Sequence, residues 1–302
     1  MKVLYLGNHS APHSTESHVA LALESVGVDV DRAQENEVNW RTLAKRCVGA
    51  DLCLWTTTHD YAPPRTYPDQ RRFLAQCPVP VIGYHLDRWI GLARESRVQW
   101  SPFFQSTLVV TADGGHDEQW AAAGVNHRWL PPGVSEPECQ PGHYRSELAS
   151  PIAFVGSWQG GYHPEWGHRQ QLIDFLRSRY GDRCAFWPRK GEHAVRGERL
   201  RDLYASVDVL VGDSCLAGGA RAYWSDRIPE SLGRGGFLLH PHVEGFSAHY
   251  TDGEHLRTWS AGDWDALGRL IDHYVAHPEE ARAIADKGRA HVLATATYRV
   301  RM

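Results

Sequence analysis

Arg227 and Glu230 stand three residues apart in the run DRIPESLGRGGFLLHPHVEGF, which spans 226–246. Asp226 opens a helix of small residues, Gly235 and Gly236 end it, and the apolar strand FLLH follows. That order places Arg227 and Glu230 at a helix N-terminus, where free backbone N–H groups favour an anion. A carboxylate one turn in can accept two hydrogen bonds from a ribose diol. Three further strand ends carry polar or flexible residues suited to the same chemistry. FVGSW ends in Gly156 and Ser157, so backbone N–H groups can come close to a diphosphate, and Arg189 with Lys190 can add charge nearby. VDVLVGDS ends in Asp213 and Ser214. In the other half of the chain, the loop Gly7-Asn8-His9-Ser10 offers His9 as a general base on a hydroxyl, because an imidazole titrates near neutral pH. YHLDRW holds His85 and Asp87 two residues apart, which puts both on one face if the strand continues through them, and makes Asp87 a base or the partner of one. TADGGHDEQW adds Asp113 and His116 at another strand end.

Alternating strands and helices must position these groups. KVLYLG reads as a first buried strand, and Ser14 or Thr15 caps a helix that Gly27 ends. VDVDRA, ADLCLWTTT, PVPVIGYHLD, STLVVTAD and HRWLPPGV supply further strands, several apolar on both faces as parallel strands require. The stretch 131–151 is rich in Pro, Gly and Ser and lacks periodicity, and the alternation restarts after it with PIAFVGSW. The pattern predicts two α/β, Rossmann-like doubly wound domains: 1–134, a linker over 135–150, and 151–290. Residues 291–302 form a tail that can cross back onto the first domain.

From Asp226 to the closing TYRVR, about seventy-five residues, the chain resembles the C-terminal half of the GT-B glycosyltransferases, in particular the group 1, spore-maturation-protein-like branch. The resemblance implies two Rossmann-like domains facing a central cleft. It implies transfer of a sugar, hexosyl or pentosyl, from a nucleoside-diphosphate donor, most often a UDP-sugar, to an acceptor hydroxyl, with no cofactor and no metal. Glu230 matches the family's ribose-binding glutamate, and Arg227 the arginine that sits just ahead of it. Gly156, Ser157, Arg189, Asp213 and Ser214 complete the expected donor side, with Trp187 beside the base. Asp87, His9 and His85 are the expected catalytic groups. Asn8, Arg88 and Asp113 are the expected acceptor contacts. Two departures stand out. Ala222 replaces the second glutamate, eight positions before Glu230, that many retaining members carry. The early Arg or Lys that usually follows the phosphate-binding turn is also missing, so Arg169 is the nearest fixed cation.

The 302 residues carry a net charge of −4, which gives no global nucleic-acid signature. Charge is uneven, however. Arg65, Arg71, Arg72, Arg88, Arg94 and Arg97 face only Asp69, Asp87 and Glu95 between 61 and 105, a basic stretch that keeps DNA, with a hydroxymethylated base, among the acceptors. A small molecule or cell-surface glycan is the other acceptor class. Six cysteines show no CxxC and no zinc spacing, so free thiols in a cytoplasmic protein are expected, with no signal peptide and no membrane insertion. GNHSAPH after the first strand lacks GxGxxG and disfavours a dinucleotide dehydrogenase. A nucleotide-sugar epimerase and a non-catalytic nucleotide-binding module remain as alternatives on the same fold.

Overall fold

Apolar runs with both faces buried become the inner strands of two parallel sheets, one in each of two units. The computed structural model describes residues 1–57, 66–158 and 165–302. Arg65 and the first six residues of the segment after Trp158 lie outside them.

The first unit comprises Met1–Pro131 and Arg301–Met302. Its strands are β1 (Lys2–Gly7), β2 (Asp29–Gln34), β3 (Leu52–Thr56), β4 (Val81–His85), β5 (Leu108–Thr111) and β6 (His127–Trp129). They pair in the order β2-β1-β3-β4-β5-β6, and every pairing is parallel. Helices α1 (Thr15–Ser25), α2 (Trp40–Arg46), α3 (Tyr67–Gln76) and α4 (Asp117–Ala122) connect them. Ser14 caps α1, its hydroxyl accepting the Ser17 N–H at 3.1 Å. Leu4, Leu6, Trp55, Phe73, Phe103 and Trp120 belong to one buried cluster, so much of the high Trp content is core. The strand order reverses between β1 and β3, and the loop holding His9 leaves the sheet at that switch point.

Pro132–Val300 form the second unit. It contains β7 (Ser150–Val155), α5 (Gly167–Tyr180), β8 (Cys184–Trp187), α6 (Gly197–Ala205), β9 (Val207–Val211), α7 (Arg227–Gly233), β10 (Leu238–Pro241), β11 (Arg257–Trp259), α8 (Trp264–Ala276) and α9 (Pro278–Thr295), with all but the last residue of α10 (Tyr298–Arg301). The sheet order, β11-β10-β9-β7-β8, repeats the winding of the first unit and puts its switch point between β7 and β9. Residues 135–150 pack on this unit. His143 N–H and the Arg145 guanidinium both bind Asp202 of α6, at 2.8 and 2.9 Å, while Cys139 and Leu148 are buried. The long C-terminal helical run breaks at His277. Pro278 has no N–H to continue the ladder and disfavours the α region at the residue before it, which stands at φ −128°, ψ 65°. All six cysteines are free thiols. Among the described residues, no helix is long and apolar enough to cross a membrane.

Candidate functional site

At the C-terminal edge of the second sheet, β7 passes into Gly156, whose φ of +152° is open to glycine and strained for other residues. The Gly156 N–H is tied to the Trp187 carbonyl at 2.8 Å, which fixes the turn. Arg227, the first residue of α7, lies over that turn. Its Nη1 would be 2.4 Å from a Cβ built on Gly156. The absence of a side chain at Gly156 is therefore what admits the guanidinium.

A pocket of about 250 Å³ opens here, lined by Gly156, Ser157, Arg196, Tyr204, Arg227 and Glu230 among others. Arg227 Nε is buried without a hydrogen-bond partner. Arg227 and Glu230 are one turn apart, yet they form no ion pair with each other or with any described residue. A cation and a carboxylate held in one recess without an ion pair can serve a phosphate and a diol respectively.

The floor of the site is a network of buried pairs. Arg169, from α5, makes a bidentate ion pair with Asp213, at 2.9 and 3.0 Å, and both are almost wholly buried. Its Nη1 also donates to the Ser157 carbonyl at 3.3 Å, and its guanidinium stacks 3.8 Å from the Trp166 ring. The charge of Arg169 is thus spent on Asp213, and the residue anchors the Gly156–Ser157 turn from below. Ser214 is occupied in the same way. His240 Nδ1–H donates to the Pro241 carbonyl at 2.8 Å, so the Ser214 hydroxyl donates to Nε2 at 2.9 Å, while Ser214 Oγ accepts the Ser225 N–H. Burial pushes the His240 imidazole down to about 4.

Other donor-side residues expected from sequence lie elsewhere. Arg189 is exposed, packs over the Trp187 ring at 4.6 Å and donates to the Glu147 carbonyl. It is not among the residues lining the pocket. Trp187 is 1% exposed and offers no free face. Trp158 lines the pocket instead, with its Nε1–H held by the Pro188 carbonyl at 2.7 Å. Sequence reasoning missed Trp158, Arg196 and Tyr204. Only the position of Arg196, directly before the helical run GERLRDLY, could have drawn notice.

In the first unit, His9 stands at the end of β1. Its Nε2–H donates to the Tyr5 carbonyl at 3.0 Å and its backbone N–H to Gln34 Oε1 at 2.7 Å. That tautomer leaves the lone pair on Nδ1, which has no partner. Burial lowers the imidazole pKa from its ordinary value. Asn8 Oδ1 is used within the loop, accepting Ser10 Oγ–H and Gln34 Nε2–H. The expected shared strand face of His85 and Asp87 does not form, because β4 ends at His85. The chain instead turns back, and Asp87 N–H donates to His85 Nδ1 at 3.0 Å, as does Trp89 Nε1–H at 3.3 Å. The Asp87 carboxylate faces Arg94 at 3.5 Å. Arg88 and Asp113 are 0% exposed. Asp113 Oδ2 accepts the N–H groups of Trp89 and Ile90, both at 2.8 Å, and Arg88 donates to the Ile90 carbonyl, so the pair buttresses this loop from inside. Burial raises the Asp113 carboxyl, opposed by those two N–H groups.

Residues 164–302 match the protein family described as glycosyl transferase-like. No curated protein matches the chain in sequence. Among solved structures, HepE of Anabaena, crystallised with UDP and glucose, is 13% identical with a TM-score of 0.62, over 99% of this chain and 96% of that one. A sucrose-phosphate synthase of Thermosynechococcus elongatus is 14% identical with a TM-score of 0.63, over 99% and 95%. A glycosyltransferase of Rickettsia africae is 9% identical with a TM-score of 0.60, over 99% and 95%. The fold is accordingly the α/β one of the GT-B glycosyltransferases, with two Rossmann-like units in series.

Proposed function

We propose that this protein is a glycosyltransferase that moves a sugar from a nucleoside-diphosphate sugar, a UDP-sugar, to an acceptor hydroxyl. The observation that carries the reading is the pair Arg227 and Glu230, unpaired and lining one pocket beside the Gly156–Ser157 turn. Glu230 accepts the ribose hydroxyls, and Arg227 with the backbone N–H groups of the turn meets the charge that grows on the departing diphosphate. The match over residues 164–302 and the UDP and UDP-glucose bound to HepE support this donor. Ala222, in place of a second glutamate, favours the spore-maturation-like branch. In this reading Arg227 does the work of a metal, and transfer persists in EDTA.

An inverting reaction needs a base for the acceptor hydroxyl, whereas a retaining one does not. His9 is suited to that task, since its tautomer is fixed, no hydrogen bond occupies its Nδ1 and burial favours its neutral form. The arginine-rich stretch argues for a small-molecule or glycan acceptor over DNA. Arg88 is buried against Asp113, which takes one of those charges off the surface and leaves less free positive charge than the sequence suggests.

Calorimetric titration with UDP, UDP-glucose and the other nucleoside diphosphates tests the donor assignment. Saturable binding of one nucleotide family, lost in Arg227→Ala and Glu230→Ala, is the expected result. No binding of any of them would overturn it. His9→Gln should slow transfer about 10²–10⁴-fold with donor affinity kept, if the product is inverted. An unchanged rate would assign His9 to the loop alone.

A further inference from the structure

The break between α8 and α9 gathers three metal-ligating side chains at one corner of the second unit. We propose that His273, His277 and Glu280 form a site for one Zn²⁺ or a similar nitrogen-preferring divalent cation. His273 lies in the last turn of α8, His277 is the junction residue, and Glu280 lies in the first turn of α9. One ligand atom from each residue lies within 4.8 Å of the other two. The two imidazole rings stack with centroids 4.4 Å apart and planes inclined by 25°.

Two details go beyond proximity. His277 Nδ1 is 2.8 Å from the His273 carbonyl, which can only accept, so Nδ1 carries the proton and Nε2 the lone pair. A backbone carbonyl holding the far nitrogen is the outer-shell contact that orients metal-ligating histidines. The second detail is the hydrogen bond from His273 Nε2 to Glu280 Oε2, at 2.9 Å. Its proton lies where a cation would bridge the same two atoms. Zn–N and Zn–O bonds of about 2.1 Å in a tetrahedral site separate two ligands by roughly 3.4 Å, so the pair needs to open by about half an ångström.

The local sequence explains why these groups meet. Pro278 ends the α8 ladder and disfavours the α region at His277, which stands at φ −128°, ψ 65°, and the chain re-enters a helix at once. His273 and Glu280 are about half exposed, which gives a cation access and leaves a fourth position for water. Two imidazoles with one carboxylate select zinc or a neighbouring transition metal over Mg²⁺ and Ca²⁺, which prefer all-oxygen sites. None of the three residues lines the Arg227–Glu230 pocket, so the metal acts as a clip between two helices. It does not enter the transfer chemistry.

Titration of the metal-stripped full chain with zinc chloride, followed by calorimetry, tests the site. One Zn²⁺ per chain is expected, with affinity reduced about tenfold or more in His277→Ala and in Glu280→Gln. Both changes are on the surface, and His193→Ala, at an exposed histidine elsewhere, serves as the control that keeps full affinity. Cobalt loading should add the intense visible absorption of a four-coordinate centre. Binding only in the millimolar range, equal affinity in all variants, or equal competition by Mg²⁺ would each overturn the proposal.

Discussion

The guanidinium of Arg227 fills the space that a side chain on Gly156 would need, with Nη1 only 2.4 Å from the place of its Cβ. Gly156 and Arg227 are 71 positions apart in sequence and act as one element, a flat turn and the cation it admits. Gly156→Ala is therefore expected to push Arg227 aside and to strain the turn at φ +152°, at a cost of about 1–3 kcal/mol. Affinity for UDP should fall about tenfold or more, as in Arg227→Ala, and the double variant should be little worse than either single one. Calorimetry on the three proteins measures this. Additive losses would show that the two residues act separately.

Glu230 forms no ion pair with a described residue, and buried Arg234, whose charge it favours from nearby, keeps its own ion pair with Glu138 when Glu230 is removed. Glu230→Ala should leave the melting temperature of the unliganded protein within about a degree, since exposed or unpaired positions contribute little to folding. Affinity for UDP should fall about 10- to 100-fold, the worth of hydrogen bonds to a charged group. A cycle with 2′-deoxy-UDP isolates the contact. The missing hydroxyl should weaken binding to the native protein and make no further difference in the variant. An equal penalty in both proteins would remove Glu230 from the ribose.

Arg169 and Asp213 give a prediction about support as distinct from contact. Removing one partner leaves a charge buried and unmatched, so Arg169→Met alone should destabilise the protein by about 3–5 kcal/mol. Arg169→Met with Asp213→Leu replaces both charges by apolar groups and should recover most of that stability. It should not recover UDP affinity, because the anchor on the Ser157 carbonyl is gone. Denaturant unfolding and UDP titration of the two variants separate these effects. Full affinity in the double variant would make the pair purely structural.

The inner strands were legible in the sequence because parallel strands buried on both faces leave unbroken apolar runs, as in LCLWT and VDVLV, whereas the three-residue edge strand β11, RTW, has no such run. The short helices α2 and α4 were not, since six or seven residues carry too little periodicity to register. Residue chemistry was legible only where it is local. Glu230 and Arg227 lie one turn apart, and Gly156 follows its strand directly, so position in the chain and position in the site coincide. Asp213 and Ser214 also sit at the expected strand end, yet their side chains turn inward to Arg169 and His240, 44 and 26 positions away. The described arginines between 66 and 105 show the same gap. A charge count over that stretch ignores that Arg88 lies beneath the surface with Asp113, which stands outside it in the sequence.

Stability in acid should be governed by one buried histidine in each unit. Burial lowers both His127 and His240 to about 4, from an ordinary value of 6.5. His127 stacks on Trp120 and bonds to Thr111, while His240 is closed between Ser214 and the Pro241 carbonyl. Above pH 6.5 both are neutral in the folded and the unfolded chain, and neither affects the balance. As pH falls below 6.5 the unfolded chain takes up protons that the folded one refuses, so stability declines until about pH 4 and then levels off. Each shift amounts to about 3 kcal/mol at the bottom of that window. His240→Asn should be less stable at pH 7, having lost part of its hydrogen bonding, yet should lose less on going from pH 6.5 to pH 4.5. Chemical denaturation at a series of pH values gives both slopes. Parallel curves for the native protein and the variant would show that His240 is protonated in the folded state and that its burial is not what opposes acid.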